Sequence, residues 1–167
     1  LTQSQILKKI FVVGEPDEQF LSFDKELEKS KLSETIPLTK DEVAFWLYSS
    51  GSTGKPKGVK HVHGSLKITY ETYAKQVLRI KQNDIVFSVA KLFFAYGLGN
   101  SMTFPMSVGA TTILLPARPT PQIVNDILTK YNITIFYAVP TIFAALLDFY
   151  SGQWTKENYE LRVSVSA

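Results

Sequence analysis

The stretch Thr120-Pro121-Gln122-Ile123-Val124-Asn125-Asp126-Ile127-Leu128-Thr129-Lys130-Tyr131-Asn132-Ile133-Thr134-Ile135-Phe136-Tyr137-Ala138-Val139 spells a helix followed by a strand. Thr120 offers a capping hydroxyl, and Pro121 suits the first helical position, where a missing N–H costs nothing. Ile123, Val124, Ile127, Leu128 and Tyr131 fall on one face, Asn132 is the stop, and Ile133 to Val139 reads as strand. Working outward, Ala110 to Leu115 is a strand before that helix, and Ile85 to Ala90 is another, with a helix over Asn100 to Val108 between them. Thr141 to Tyr150 is an apolar helix, and Leu161-Arg162-Val163-Ser164-Val165-Ser166 alternates like a last strand. Nearer the start, Val43-Ala44-Phe45-Trp46-Leu47-Tyr48 is continuously apolar, which suggests a strand covered on both faces. Val59 to Val62 is a short strand, and Ser65 caps a helix whose buried face is Leu66, Tyr70, Tyr73, Ala74 and Val77. Alternation of strand and helix from position 43 to 166 predicts an α/β fold, a mainly parallel sheet flanked by helices. Residues 1 to 40, with a short apolar run at Lys9 to Val13 and a charged helix at Asp24 to Lys31, form a lead-in, and 41 to 167 form the main domain.

Composition narrows the function classes. The 167 residues are 45% hydrophobic and 20% charged, which excludes disordered and fibrous chains. With no cysteine there is no thiolate nucleophile, zinc ribbon or disulfide scaffold, and a reducing compartment such as the cytoplasm is the expected location. Leu92 to Leu115 runs 24 residues without a formal charge, but Gly97, Asn100, Pro105 and Gly109 within it argue against a membrane span. The opening Leu1-Thr2-Gln3-Ser4 has no basic leader and reads as a cut end.

Charge is unevenly placed. Leu1 to Glu42 holds nine acids and six bases, whereas Val43 to Tyr70 and Ile85 to Asn125 contain no carboxylate at all. Such regions attract anions. The bases form no dense run and no nucleic-acid module, so a bound polyphosphate is the sharper expectation.

In parallel sheets ligands bind beyond the carboxyl ends of strands, so loops that follow strands are the places to search. Ser49-Ser50-Gly51-Ser52-Thr53-Gly54-Lys55-Pro56-Lys57-Gly58 packs four hydroxyls, three glycines and two lysines into ten residues. Glycines let backbone N–H groups turn inward, hydroxyls donate to phosphate oxygens, and lysines supply charge. By composition alone it is also a flexible linker, but it sits between two strands rather than between domains. It is not the nucleoside-triphosphatase P-loop, whose spacing and Gly-Lys-Ser/Thr end it lacks. His61 and His63 would share a strand face as a metal pair, yet no cysteine or carboxylate is near to complete a site. Lys91-Leu92-Phe93-Phe94-Ala95-Tyr96-Gly97-Leu98-Gly99-Asn100 sets three aromatics beside two glycines after a strand. It reads equally as packed core and as the wall of a pocket for an apolar planar ligand.

Tyr48 to Gly58 closely resembles the phosphate-binding signature of adenylate-forming enzymes, the acyl- and aryl-CoA synthetases, luciferases and peptide-synthetase adenylation domains. Lys91 to Asn100 resembles the aromatic acceptor motif of the same family, above all its benzoate-CoA ligase branch, and Val139-Pro140-Thr141 and Ser164-Val165-Ser166-Ala167 extend the likeness. The resemblance implies that Ser49, Ser50, Gly51, Ser52, Thr53, Gly54 and Lys57 bind the β- and γ-phosphates of ATP. It also implies that Phe94 is a gate and that Ala95, Tyr96 and Gly97 line the acyl pocket. The implied function is an ATP-dependent acid–thiol ligase that adenylates an aryl carboxylate with Mg²⁺ and ATP, then transfers the acyl group to CoA. The family's later motifs do not appear, so no catalytic residue is assigned, and the chain is expected to be an excised piece, inactive without a covalently attached remainder. The alternatives are a stand-alone module that binds a nucleotide or anion, and adenylation of another acid such as a hydroxybenzoate or a short fatty acid.

Overall fold

A computed structural model describes residues 6–50, 54–151 and 159–167. The chain divides into two compact units, Leu1–Leu38 and Thr39–Ala167. In the first, β1 (Phe11–Val12) and β2 (Leu21–Ser22) pair in parallel, and α1 (Phe23–Lys29) follows. Ser22 caps α1 by accepting from the Lys25 N–H, acids Asp24 and Glu26 occupy its first turn, and Lys29 pairs with Glu26 at 2.9 Å. None of its residues is buried, so this helix is a solvated one, as its charge pattern indicates.

The second unit opens with β3 (Val43–Ser50) and β4 (Pro56–Val62), an antiparallel pair forming a sheet of its own. This corrects the expectation of a doubly covered strand of the parallel sheet. Along β3 only Ala44, Phe45 and Leu47 are half-buried; Trp46 is 51% exposed and Tyr48 72%. Their rings lie over the partner strand at Gly58, where an added Cβ would stand 2.9 Å from Trp46 and 3.3 Å from Tyr48, and Lys60 rests 5.2 Å above the Trp46 ring. An apolar run is thus satisfied by aromatics covering a neighbouring glycine rather than by a second layer.

A helix follows, α2 (His63–Thr69), continuing without a break as a π-helical segment, Tyr70–Leu78. It starts two residues before Ser65, so Ser65 is not its cap; carbonyls of Glu42 and Lys40 instead accept from the His63 and Gly64 N–H groups, at 3.1 and 2.8 Å. The wider π turns shift the buried face by one residue. Val77, expected inside, is 65% exposed, while Leu78 is 3% exposed.

Four strands then build the parallel sheet: β5 (Ile85–Ser88), β6 (Thr111–Ile113), β7 (Ile135–Ala138) and β8 (Val163–Ser166), in the order β6-β5-β7-β8. Between β5 and β6 the chain coils through α3 (Ala95–Leu98), a π segment (Gly99–Thr103) and α4 (Phe104–Val108), a longer helical run than the predicted Asn100 to Val108. Helix α5 (Pro121–Lys130) joins β6 to β7, and α6 (Pro140–Phe149) follows β7. As predicted, Thr120 accepts from the Ile123 N–H, and Asn132 takes a left-handed φ of 50° at the stop. Tyr131 differs: it caps the helix C-terminus instead of completing the buried stripe.

Alternation along the central strands fills both faces. Phe87, Phe136 and Ala138 pack with Val124, Leu128 and Leu146 of α5 and α6 on one side. Val86, Ile135 and Tyr137 pack with Ala74, Leu78 and Phe104 on the other. All four residues of β7 are buried, as a central parallel strand requires.

The amino ends of these strands are tied by an ion pair whose carboxylate is buried. Asp84, immediately before β5, accepts from Arg162 Nε at 2.8 Å and again from Arg162 Nη2, from Thr134 Oγ1 at 2.8 Å and from the Lys81 N–H at 2.7 Å. Arg162 also donates to the carbonyls of Leu78 and Arg79. Burial works against the Asp84 charge, but Arg162 and the two other donors outweigh it and hold the carboxyl below its ordinary pKa.

Candidate functional site

Both loops singled out by the sequence belong to the second unit. Register carries the hairpin past the predicted strand end, pairing Ser49 with Lys57 and Ser50 with Pro56, so these residues are the last rungs of a ladder. Ser49, Ser50, Gly54, Lys55 and Lys57 are exposed. Gly51, Ser52 and Thr53 lie outside the described residues. Gly54 adopts φ +77° with open space around it, the backbone state that favours glycine. The last rungs of the hairpin therefore present the Ser49 and Ser50 hydroxyls and Lys57 on a paired stem.

The second loop leaves β5 at its carboxyl end. Phe94 precedes the first turn of α3 and is exposed, its ring 4.4 Å from that of Phe93. Ala95 lines an apolar cavity of about 210 Å³ shared with Phe45, His61, Leu66, Leu98 and Phe104. This cavity brings the loop after β5 and the inner face of the hairpin together. His61 stacks on Phe45 with centroids 5.1 Å apart and planes 7° apart. It serves the hairpin as a flat ring, and among the described residues no group of three His, Cys, Asp or Glu converges to hold a metal.

Tyr96 turns away from Phe94. Its hydroxyl donates to the Val165 carbonyl of β8 at 3.1 Å, and its ring meets Tyr137 edge-on at 6.3 Å. Burial, with Tyr73 adding to it, pushes the Tyr96 hydroxyl up to about 12, and burial drives Tyr137 higher still. Both hydroxyls stay neutral at any working pH, and that of Tyr96 is the one that donates. Gly97 is buried where an added Cβ would lie 2.0 Å from the Lys91 carbonyl oxygen and 2.7 Å from that of Ala90. Only a bare backbone lets α3 begin there. The four predicted pocket residues thus split: Ala95 lines a cavity, Phe94 is exposed beside Phe93, and Tyr96 and Gly97 anchor the loop.

Residue chemistry alone does not single out Lys91, which opens the segment Lys91 to Asn100. Its ammonium donates to the carbonyls of Leu115 and of Ala117. The sequence signal for it is its place, with Arg118, as one of two cations in a stretch without acids.

Comparison with known proteins fits this geometry. The model of the family described as AMP-binding enzyme matches residues 2–167. The chain belongs to the AMP-binding enzyme family. Over 118 residues it is 52% identical to the benzoate–CoA ligase of Thauera aromatica, covering 71% of this chain and 22% of that relative. It is 47% identical over 127 residues to the 4-hydroxybenzoate–CoA/benzoate–CoA ligase of Rhodopseudomonas palustris, covering 76% and 23%. Among solved structures, a benzoate CoA ligase from Burkholderia xenovorans LB400 superposes with a TM-score of 0.79 at 39% identity, over 95% of this chain and 31% of that one. The anthranilate CoA ligase AuaEII, solved with anthranoyl-AMP, gives 0.84 at 32%, over 97% and 32%. The chain thus spans about a fifth of the length of the curated relatives it matches. Among the described residues, no helix is long and apolar enough to cross a membrane.

Proposed function

We propose that this chain serves an ATP-dependent ligase that activates an aryl carboxylate, benzoate or a close relative, as the acyl-adenylate and passes the acyl group to CoA. The observation that carries the reading is the 52% identity to a benzoate–CoA ligase across the segment that contains both loops. In the first step a carboxylate oxygen attacks the α-phosphate of ATP, the bond to the β-phosphate breaks, and pyrophosphate leaves. In the second the CoA thiol displaces AMP. The hairpin tip, Ser49 to Lys57, holds the β- and γ-phosphates, with hydroxyl donors and the exposed Lys57 charge stabilising the departing pyrophosphate. Ala95 and Phe94 border the acyl group from one side. When bound, Mg²⁺ would offset charge on the phosphates. The described residues offer it no group of three carboxylates or histidines.

The test uses the full-length protein with Thr53→Ala and Lys57→Ala. Both variants should lose benzoate-dependent ATP–pyrophosphate exchange by roughly 100-fold or more, the scale of one transition-state donor, while benzoate binding stays within about threefold. Unchanged exchange in both would sink the assignment. A second reading changes only the acid. Relatives named for hydroxybenzoate and anthranilate favour a panel of those acids beside benzoate, and the largest kcat/KM names the substrate.

A further inference from the structure

Lys91 is a half-buried cation that meets no carboxylate among the described residues. Its ammonium instead bridges the carbonyl oxygens of Leu115 and Ala117, the latter at 2.6 Å. Those carbonyls belong to the loop after β6, while Lys91 stands just past the end of β5, the neighbouring strand. At its other end, the Lys91 carbonyl accepts from the Phe94 N–H at 3.1 Å and is overlain by Gly97. A single residue therefore joins the loop after β6, the turn that carries Phe94 and the first turn of α3.

The choice of a charge for this tether has a consequence. Two converging carbonyls concentrate negative potential at the rim, which would repel a carboxylate arriving there. The ammonium cancels it and leaves an excess of positive charge. No acid dilutes that excess, because Ile85 to Asn125 holds Lys91 and Arg118 and no carboxylate.

We infer that Lys91 is a positioning residue for the carboxylate substrate, fixing the loop that carries Phe94 to Gly97 and giving its rim the charge that draws in an anionic acid. This rests on the ligase reading above. The test is exchange kinetics of the full-length protein with benzoate, comparing Lys91→Met, Lys91→Gln and Lys91→Arg with wild type. Methionine keeps the length but leaves two carbonyls unpaired; glutamine keeps a donor and drops the charge; arginine keeps both. Expected are a KM for benzoate raised roughly 10- to 100-fold in Lys91→Met, the scale of a lost charge-assisted hydrogen bond, and a clear rise in Lys91→Gln. The KM for ATP should stay within about twofold, and Lys91→Arg should recover most of the loss. A benzoate KM unchanged in Lys91→Gln, or shifts in KM for both substrates alike, would overturn the inference, whatever happens to the melting temperature. A wild-type protein that activates no aryl carboxylate fails the ligase reading itself, and is told apart because it needs no variant.

Discussion

Gly97→Ala adds one methyl group to the point where α3 begins, and its effect follows from distances. The new Cβ would stand 2.0 Å from the Lys91 carbonyl oxygen, 2.6 Å from its carbon and 2.7 Å from the Ala90 oxygen, whereas ordinary contact begins near 3.4 Å. The first turn of α3 must therefore retreat by about 1.4 Å, because all three obstacles are backbone and none can rotate aside. Overpacking of this kind costs about 3 kcal/mol. Alanine returns about 1 kcal/mol through its better helix propensity. The net loss is thus about 2 kcal/mol, which for a chain of this size lowers Tm by about 4–8 °C. The same retreat carries Ala95 and Tyr96 out of register, a displacement of the size that costs roughly 100-fold in rate at a reacting centre. Thermal unfolding followed by circular dichroism reads the first effect and benzoate-dependent pyrophosphate exchange the second. A Gly97→Ala protein that melts within about 1 °C of wild type and exchanges normally would refute the close approach of α3 to the Lys91 carbonyl, and with it the anchoring role assigned to Gly97.

Two further outcomes are expected. Asp84 has a folded pKa below its ordinary value, so its contribution to stability is complete above the unfolded pKa and is lost as pH falls through the folded one; Asp84→Asn should destabilise the fold at pH 7 by about 2 kcal/mol, given that the Arg162 side chain is a third exposed, and should flatten the fall of Tm between pH 5 and pH 2. An equally steep acid limb in the variant would show that other carboxylates govern it. Gly58→Ala places a Cβ 2.9 Å from the Trp46 ring, which should lift that indole off β4 and shift its fluorescence to the red at little cost in global stability; an unshifted spectrum would mean that the ring does not lie on the glycine.

Much of the parallel sheet was legible because its signals are local. Thr120, Pro121 and Asn132 mark both ends of α5, and the apolar runs of β5 and β7 are long enough to exclude a half-exposed strand. What escaped was set by partners distant in sequence. The run from Val43 to Tyr48 looks like a buried strand, and only Gly58, ten residues past its end, reveals that aromatics cover it from the side. The helix start at His63 depends on carbonyls of Lys40 and Glu42, and Val77 and Leu78 exchange places because π turns leave no mark in a 3.6-residue pattern. For the site, the residue types were readable, but not which way they face. Phe93, Phe94 and Tyr96 form one aromatic cluster in sequence, yet the fold sends two to the rim and one into the sheet.

The two ends of the parallel sheet carry different kinds of polar tie, and this assigns them different work. At the amino ends Asp84 and Arg162 satisfy each other, so their charges are spent inside the fold and offer nothing to a ligand. At the carboxyl ends the ties run from a side chain to backbone carbonyls: Lys91 to Leu115 and Ala117, and Tyr96 to Val165. A carbonyl takes a hydrogen bond without neutralising a full charge, so the Lys91 ammonium still projects its field after it has been anchored. Anchoring by carbonyls thus lets one residue hold a loop and remain a cation for an incoming anion, which a salt bridge could not do. The absence of acids from Ile85 to Asn125 is then a requirement of this arrangement, since a single carboxylate introduced beside the two carbonyls, as in Pro116→Glu at an exposed position between Leu115 and Ala117, would compete for Lys91 and weaken carboxylate binding more than it weakens the fold.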